Sequence, residues 1–269
     1  MIEFEKIPFE KTGSFSKNFL KYANSKKINL ENIYLKTNEI SFDEKKRKLL
    51  KKSLIKQYEK IDCSTKIIEN INQLNNENTF TVTTGHQLNI FTGPLYVIYK
   101  IISTINLAEK LKKKYPNKNF VPIYWMASED HDFDEIKSFY LYGKNYTWDI
   151  KTSGAVGDID PKKIKNLFKK IPEKISLFEK AYLKNSKLSN SVLYYMNELF
   201  GKYGLIILDP NNRNYKKLFL KVIKDDILNN SINNLQSKSS KKNLVHIRKI
   251  NFFYLKKNLR ERIIKEKNK

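Results

Sequence analysis

The chain has 269 residues, 40% of them hydrophobic, which is enough to bury a substantial core in a soluble globular protein. Its longest apolar runs fall short of the roughly 18 residues a spanning helix needs. Met1-Ile2-Glu3-Phe4-Glu5-Lys6 lacks a basic-then-apolar leader pattern, so no membrane association and cytoplasmic residence are expected. A net charge of +24 would ordinarily suggest nucleic acid, but Arg occurs only at positions 47, 213, 248, 260 and 262, and the lysines are spread along the whole chain. Lys, Asn, Ile, Phe and Tyr are all in excess, as A- and T-biased codons would produce without selection on a ligand, so nucleic acid is not the expected partner.

Residues 1–75 read as a mainly helical amino-terminal region. Its clearest helix spans Asp43 to Ile61, with Leu49, Leu50, Leu54, Tyr58 and Ile61 toward the core and Lys45, Lys48 and Lys52 among the solvated residues. Cys63 is the single cysteine, which excludes an internal disulfide and any multi-cysteine metal site. Within the pattern Ile61, Ile67, Ile68, Ile71, Leu74 it reads as a small structural residue. Residues 76–150 form the first part of an α/β core. Thr79–Thr83 is β-branched and aromatic, and Phe120–Ala127 is a longer apolar run, so each predicts a strand of a parallel sheet. Between them Pro94–Lys114 predicts a helix, Pro94 in its first turn and Leu95, Ile98, Ile102, Ile105, Ala108 and Leu111 on the buried face. A right-handed crossover then places both post-strand segments at the carboxyl edge of the sheet, where His86 and His131 open onto one concave site with Trp125 buried behind it.

Ile136–Tyr142 predicts a further strand, with turn signals at Gly143-Lys144-Asn145. Residues 151–200 read as an inserted connecting segment, glycine-punctuated from Thr152 and then helical through Ile164, Leu167, Ile171, Phe178 and Val192–Phe200. Residues 201–230 return to the core through a strand at Leu205–Leu208, a turn at Asp209-Pro210 and a helix at about Tyr215–Asn229. Residues 231–269 form a polar link and tail. His246 in that basic tail is expected to be inert.

Two segments carry chemistry. In Thr84-Gly85-His86-Gln87, Gly85 would let the backbone turn and aim amides at a ligand, although a locally bonded turn histidine is the ordinary reading of His86. Thr92 and Gly93 follow at the helix start, where free amides and the helix dipole favour a phosphate or carboxylate. Glu129-Asp130-His131-Asp132 concentrates three carboxylates and an imidazole after a strand containing Trp125. Consecutive residues point in different directions and no second ligand cluster exists, so acid–base chemistry is preferred to a metal. In that reading His131 accepts a proton, Asp130 or Asp132 orients it or holds an ammonium group, and Trp125 and Glu129 help bind substrate.

The stretch Thr84 to Tyr96 with Tyr99-Lys100, the stretch Pro122 to Ile136, Tyr203 to Pro210, and His246 to Ile263 together resemble the bacillithiol-synthesis cysteine ligase family, BshC. The resemblance implies a Rossmann-like core related to class I aminoacyl-tRNA synthetases, with connecting segments and a dimerising carboxy-terminal coiled coil. It implies addition of cysteine to the amino group of glucosaminyl-malate, so cysteine is more fitting as substrate than as catalyst. Family members often carry Gln where His86 stands here, which shifts weight to Gln87. Family members are roughly twice this length, so a truncated chain without the later core strands and coiled coil is expected, with a homodimer or a separately encoded carboxy-terminal half as partner. Kinship with synthetases makes ATP or another adenine nucleotide a reasonable activator, yet no P-loop is present. The alternatives are a non-catalytic remnant or half of a split enzyme, and, more weakly, a lysine-rich nucleic-acid-associated protein.

Overall fold

The computed structural model describes residues 5–24, 42–237 and 248–266. Contacts divide the chain into two units, Met1–Phe42 and Asp43–Lys269. In the first, a short 3-10 turn at Phe9–Thr12 precedes α1 (Lys17–Ala23), and Phe15 stacks on Phe19 while Phe9 meets both edge-on, with ring centroids 4.6 to 5.7 Å apart.

The second unit starts with α2 (Glu44–Tyr58), whose amino end is capped by Asp43 accepting from the Lys46 amide at 2.9 Å. One face buries Leu54 and Tyr58, with Leu49, Leu50 and Ile61 half-buried behind it. Arg47 is buried on the same helix and donates to the carbonyls of Leu74, Glu77 and Thr79, fixing the link between α3 (Thr65–Gln73) and the first strand. Cys63 lies in the connection between α2 and α3, half-buried against the core, and burial foremost pushes its thiol up.

Strands β1 (Thr79–Gln87) and β2 (Asn119–Ala127) pair in parallel from Thr79 opposite Asn119 to Gln87 opposite Ala127. The crossover between them is α4 (Leu95–Lys114). The expected strand–helix–strand unit is therefore present, with three differences. First, Thr84-Gly85-His86-Gln87 is strand rather than loop, and Gly85 pairs with Trp125 instead of turning. β1 is an edge strand whose residues alternate between half-buried and exposed, so polar side chains and a glycine are tolerated there. Second, α4 buries Val97, Ile101, Thr104, Ile105, Ala108 and Leu111, while Leu95 and Ile102 are exposed. Pro94 is the cap, one residue before the helix, and the buried stripe turns toward Val97 and Ile101 where the helix meets the sheet. Third, Trp125 is 39% exposed: its neighbours Tyr124 and Met126 point inward, and the period of a strand turns Trp125 the other way.

A separate hairpin follows, β3 (Ser138–Leu141) and β4 (Lys144–Thr147), turned by Tyr142 and Gly143 at φ 50° and 74°. The expected turn at 143–145 is thus one residue early and shorter, and Lys144 already belongs to a strand. Two 3-10 turns, Val156–Asp158 and Pro161–Ile164, lead into α5 (Lys165–Phe168), α6 (Ser176–Lys184) and α7 (Leu188–Phe200). Gly204, at φ 79°, turns the chain into β5 (Ile206–Leu208), which pairs in parallel with β2 and gives the order β1-β2-β5. The helix expected at Tyr215–Asn229 is two helices, α8 (Arg213–Leu218) and α9 (Leu220–Asn229), joined at Phe219.

The carboxy-terminal stretch is more than a tail. It contains α10 (Ser231–Ser237) and a hairpin of β6 (Phe253–Lys256) and β7 (Leu259–Arg262). Buried Asp226 of α9 anchors it by accepting from the amides of Ile232 at 3.1 Å and Asn251 at 2.8 Å. His246 lies outside the described residues.

Side chains close the outer edge of β5. Gln57 Nε2 donates to the Ile207 carbonyl at 2.6 Å, Gln57 Oε1 accepts from the Asp209 amide at 3.0 Å, and Tyr58 Oη accepts from the Ile207 amide at 2.8 Å. The helix thereby does what a neighbouring strand would do for a buried backbone. Tyr58→Phe keeps the ring and strands the Ile207 N–H. The variant should lose about 1–3 kcal/mol in urea unfolding, and a loss below the error of the measurement would show that β5 does not depend on this substitute edge.

Candidate functional site

The parallel pairing of β1 and β2 delivers Gln87 and Ala127 side by side at the carboxyl edge. Beyond them, two backbone features set the site. After β1, Asn89–Gly93 forms a turn in which Phe91, Thr92 and Gly93 all have positive φ, at 51°, 68° and 69°. A Cβ on Gly93 would stand 2.5 Å from that of Asn89, so only glycine fits. After β2, the 128–130 backbone is held by Val156 and Gly157, whose amides donate to the carbonyls of Asp130 at 2.7 Å and Ser128 at 2.9 Å. A Cβ on Gly157 would lie 2.7 Å from the Ser128 carbonyl oxygen, so this close approach also depends on a missing side chain.

His86 is held on both ring nitrogens. Asn89 Nδ2 donates to Nδ1 at 2.8 Å, which leaves Nε2 to donate to Tyr96 Oη, also at 2.8 Å. Burial foremost lowers its pKa, and the Lys100 charge adds to this against opposing effects of the Gln87 carbonyl and Glu135, so the ring is neutral at neutral pH. Gln87 is equally committed: its amide nitrogen donates to Asp130 Oδ2 at 3.0 Å and also to Glu135. It is a bridge between two carboxylates.

Asp130 accepts from Gln87 and from the amides of His131 at 2.6 Å and Asp132 at 3.2 Å. Burial opposes ionisation, but these hydrogen bonds and the Arg260 charge together hold its carboxyl below the usual range. Glu129 goes the other way. Burial foremost raises its pKa, helped by Asp209 and Asp130, and its Oε2 is buried with no hydrogen-bond partner among the described residues. His131 Nδ1 lies 3.0 Å from the Glu129 carbonyl oxygen, which can only accept, so Nδ1 carries a proton. In the neutral ring Nε2 then presents a lone pair, and that atom too is buried without a partner among the described residues.

These residues line three cavities rather than the single concavity expected. His86, Asn89, Thr92, Gly93 and Tyr96 line one of about 870 Å³, walled by Phe91, Phe139 and Phe178. Asp130, His131 and Asp132 line a second of about 660 Å³ with Lys151 and Arg260. Glu129 and His131 line a third of about 870 Å³, closed by the 152–155 loop and by Lys256, Lys257 and Asn258 of the β6–β7 hairpin. Gln87 and Glu135 stand between the first and second, and His131 between the second and third. Where the first and second meet, Gln87 donates to both Asp130 and Glu135. Thr84, Gly85 and Trp125 line none of these cavities.

The amide of Gly93, expected to be free, donates to the Ile90 carbonyl at 3.0 Å. Among the described residues no group of three or more His, Cys, Asp and Glu side chains could hold a metal ion, and no helix is long and apolar enough to cross a membrane. Sequence reasoning missed Asn89, Tyr96 and Glu135, although all three lie in the quoted motifs. It also missed Arg260, which only the hairpin's return to the sheet edge reveals.

Residues 2–269 match the family described as bacillithiol biosynthesis BshC, N-terminal Rossmann-like domain. A protein of Flavobacterium psychrophilum named "Putative cysteine ligase BshC" is 43% identical, the match covering 97% of this chain and 54% of the relative. Proteins of the same name from Christiangramia forsetii and Staphylococcus saprophyticus are 41% and 30% identical, covering 96% and 66% of this chain and 54% and 37% of those relatives. The chain spans about half the length of the curated relatives it matches most fully.

The opposite shifts of the adjacent carboxyls give opposite pH effects on stability. Asp130, with a depressed folded pKa, contributes stability above its unfolded value near 3.9 that is lost as pH falls through the folded value. Glu129, with a raised folded pKa, contributes stability below its unfolded value near 4.3 that is lost as pH rises through the folded value. Glu129→Gln should therefore raise the melting temperature at pH 7 and lose that advantage below about pH 4, whereas Gln87→Leu should lower it at pH 7. Equal melting curves for Glu129→Gln and the parent at both pH values would show that the Glu129 carboxylate carries no burial penalty.

Proposed function

Since the chain belongs to the bacillithiol-biosynthesis BshC family, over whose N-terminal Rossmann-like domain it extends, we propose that it forms the substrate-binding half of a cytoplasmic ligase that joins the carboxyl of cysteine to the amine of glucosaminyl-malate, giving bacillithiol. The observation that carries the chemistry is His131: Nδ1 is tied to the Glu129 carbonyl, and Nε2, like Glu129 Oε2, is buried with no hydrogen-bond partner among the described residues.

Amide formation requires the amine nitrogen to bond to the cysteine carboxyl carbon, the group activating that carboxyl to leave with its electron pair, and a proton to leave the nitrogen. His131 Nε2 is the proposed acceptor of that proton. Asp130 orients the loop by accepting the His131 amide, and Gln87 keeps Asp130 ionised. His86 is a positioning residue in this reading, because both of its nitrogens are occupied by Asn89 and Tyr96. An adenine nucleotide is the proposed activator, supplying the leaving group on the cysteine carboxyl. Thr92 and the amides of Leu95 and Tyr96 would hold its phosphate, since the amino end of α4, with its dipole, meets the aromatic cavity there.

Two measurements bear on this reading. In a full-length relative, replacing the residue equivalent to His131 with Asn should lower kcat by roughly 10²- to 10⁴-fold with little change in KM. A raised KM alone would make the residue a binding group. With 54% of a relative's length represented, the 269-residue chain given cysteine, glucosaminyl-malate and ATP should form product only when mixed with the carboxy-terminal half of a relative. Robust product from the chain alone would show that this half carries the complete site.

A further inference from the structure

We infer that Asp209, just past the end of β5, is a positioning residue for His131: its carboxylate holds Ser128, and Ser128 fixes the turn whose Glu129 carbonyl sets the His131 tautomer. This inference rests on the reading of His131 as the proton acceptor and adds to it a residue that does not touch the ring.

The end of β2 needs such a hold. On the β5 side its ladder stops at Trp125 opposite Leu208, before the strand itself ends at Ala127. The Ser128 amide then turns back to the Met126 carbonyl at 2.6 Å, and the chain leaves the sheet. The Ser128 hydroxyl, on a buried residue, donates to Asp209 Oδ1. A side-chain bond thus joins the two strands beyond their last backbone pair. Asp209 is itself held from two sides: its amide donates to Gln57 Oε1 at 3.0 Å, and its Oδ1 also accepts from the Asn211 amide at 2.9 Å. The bond to Asn211 closes a local turn of the kind that an Asp before Pro makes by itself. The bond to Ser128 is the one that reaches the site, and through Gln57 it ties the site to α2, the helix that closes the outer edge of β5.

From Ser128 the constraint passes to the ring in one residue. The Ser128 carbonyl accepts from the Gly157 amide at 2.9 Å and the Asp130 carbonyl from the Val156 amide at 2.7 Å, so the residues on either side of Glu129 are both tied. The Glu129 carbonyl between them accepts from His131 Nδ1 at 3.0 Å. Which ring nitrogen of a histidine carries the proton is decided by the bond the other makes, so the aim of this carbonyl is what leaves the Nε2 lone pair for a proton. Releasing Ser128 from Asp209 frees one side of the turn and loosens that aim. Asp209 acts here as a hydrogen-bond acceptor, and its charge is not required for the effect.

The test uses the 269-residue chain and the nitrogen-15 spectrum of its histidine rings in mildly alkaline buffer, with His131→Asn identifying the His131 signals. The parent should show His131 mainly as the Nδ1–H form and His86 mainly as the Nε2–H form, the opposite tautomers that their partners require. Asp209→Ala and Ser128→Ala should each raise the ratio of Nε2–H to Nδ1–H at His131 by about fivefold, the effect of loosening one ordinary hydrogen bond. The double variant should go no further, because both changes act through the same bond. Asp209→Asn keeps an oxygen for Ser128 and gives up the charge, so it should restore the parent ratio. His86 should stay in place throughout. An unchanged His131 ratio in Asp209→Ala, an equal shift in Asp209→Asn, or a shift of both rings together would overturn the inference. If Asp209→Ala does not fold, Ser128→Ala decides it by the same ratio. These spectra involve no substrate, so their outcome is separate from the ligase reading, which stands or falls on the kcat of a full-length relative altered at the position equivalent to His131.

Discussion

The turn from Asn89 to Gly93 is the constraint on which the site depends, because it is held in a conformation the chain would not choose alone. Positive φ at Phe91 and Thr92 is unfavourable for residues with a Cβ, by about 1 kcal/mol or more each. Two tyrosines from distant helices offset this. Tyr182 Oη accepts from the Phe91 amide at 2.8 Å, and Tyr195 Oη donates to the Asn89 carbonyl at 2.9 Å, with both rings fully buried. The Phe91 side chain adds ring contacts to Phe139, Phe168 and Phe178 at 4.6 to 5.5 Å. The connecting segment 151–200 therefore does more than join strands: its tyrosines set where β1 ends, where α4 begins and how Asn89 reaches His86.

This explains which parts were legible in the sequence. The parallel pair could be read because β-branched and apolar runs flank an amphipathic stretch of suitable length, and the crossover rule then fixes the edge at which His86 and His131 emerge. The extent of β1 could not. Thr84, Gly85, His86 and Gln87 carry every local sign of a turn, and what keeps them extended is non-local pairing with Tyr124 through Ala127. Trp125 was misread for a related reason: a run of apolar residues suggests burial on both faces, whereas one face of β2 beside Gly85 is open. The β6–β7 hairpin was hidden because Leu259-Arg260-Glu261-Arg262 has the composition of a solvated tail, and only Asp226, buried at the far end of α9, reveals that the segment is anchored.

The site shows the same division. Residue types alone pointed to Glu129-Asp130-His131-Asp132 as chemistry, because charge at a buried strand end needs partners. Roles required geometry. Hydrogen bonds outweigh burial at Asp130 and burial outweighs them at Glu129, so two carboxyls adjacent in sequence are pushed in opposite directions. Gln87, which sequence reading placed against a ligand, spends its donors on Asp130 and Glu135 and so supplies the lowering at Asp130, while burial supplies the rise at Glu129.

The cations follow a related logic. The arginines with defined partners act structurally, Arg47 on three backbone carbonyls and Arg260 with its guanidinium 3.9 Å from the centre of the Phe253 ring. Rigid planar donors suit fixed geometry. The lysines do not need it, and most lie on solvated faces where they contribute charge without position. Around Glu129 and His131 that diffuse charge gathers, because Lys163, Lys187, Lys216 and the hairpin's Lys256 and Lys257 line the same cavity as these two residues. The backbone that frames this cavity depends on two glycines: Gly157 approaches the Ser128 strand end too closely for any side chain, and Gly154, at φ 87°, meets Asn258 at the hairpin tip.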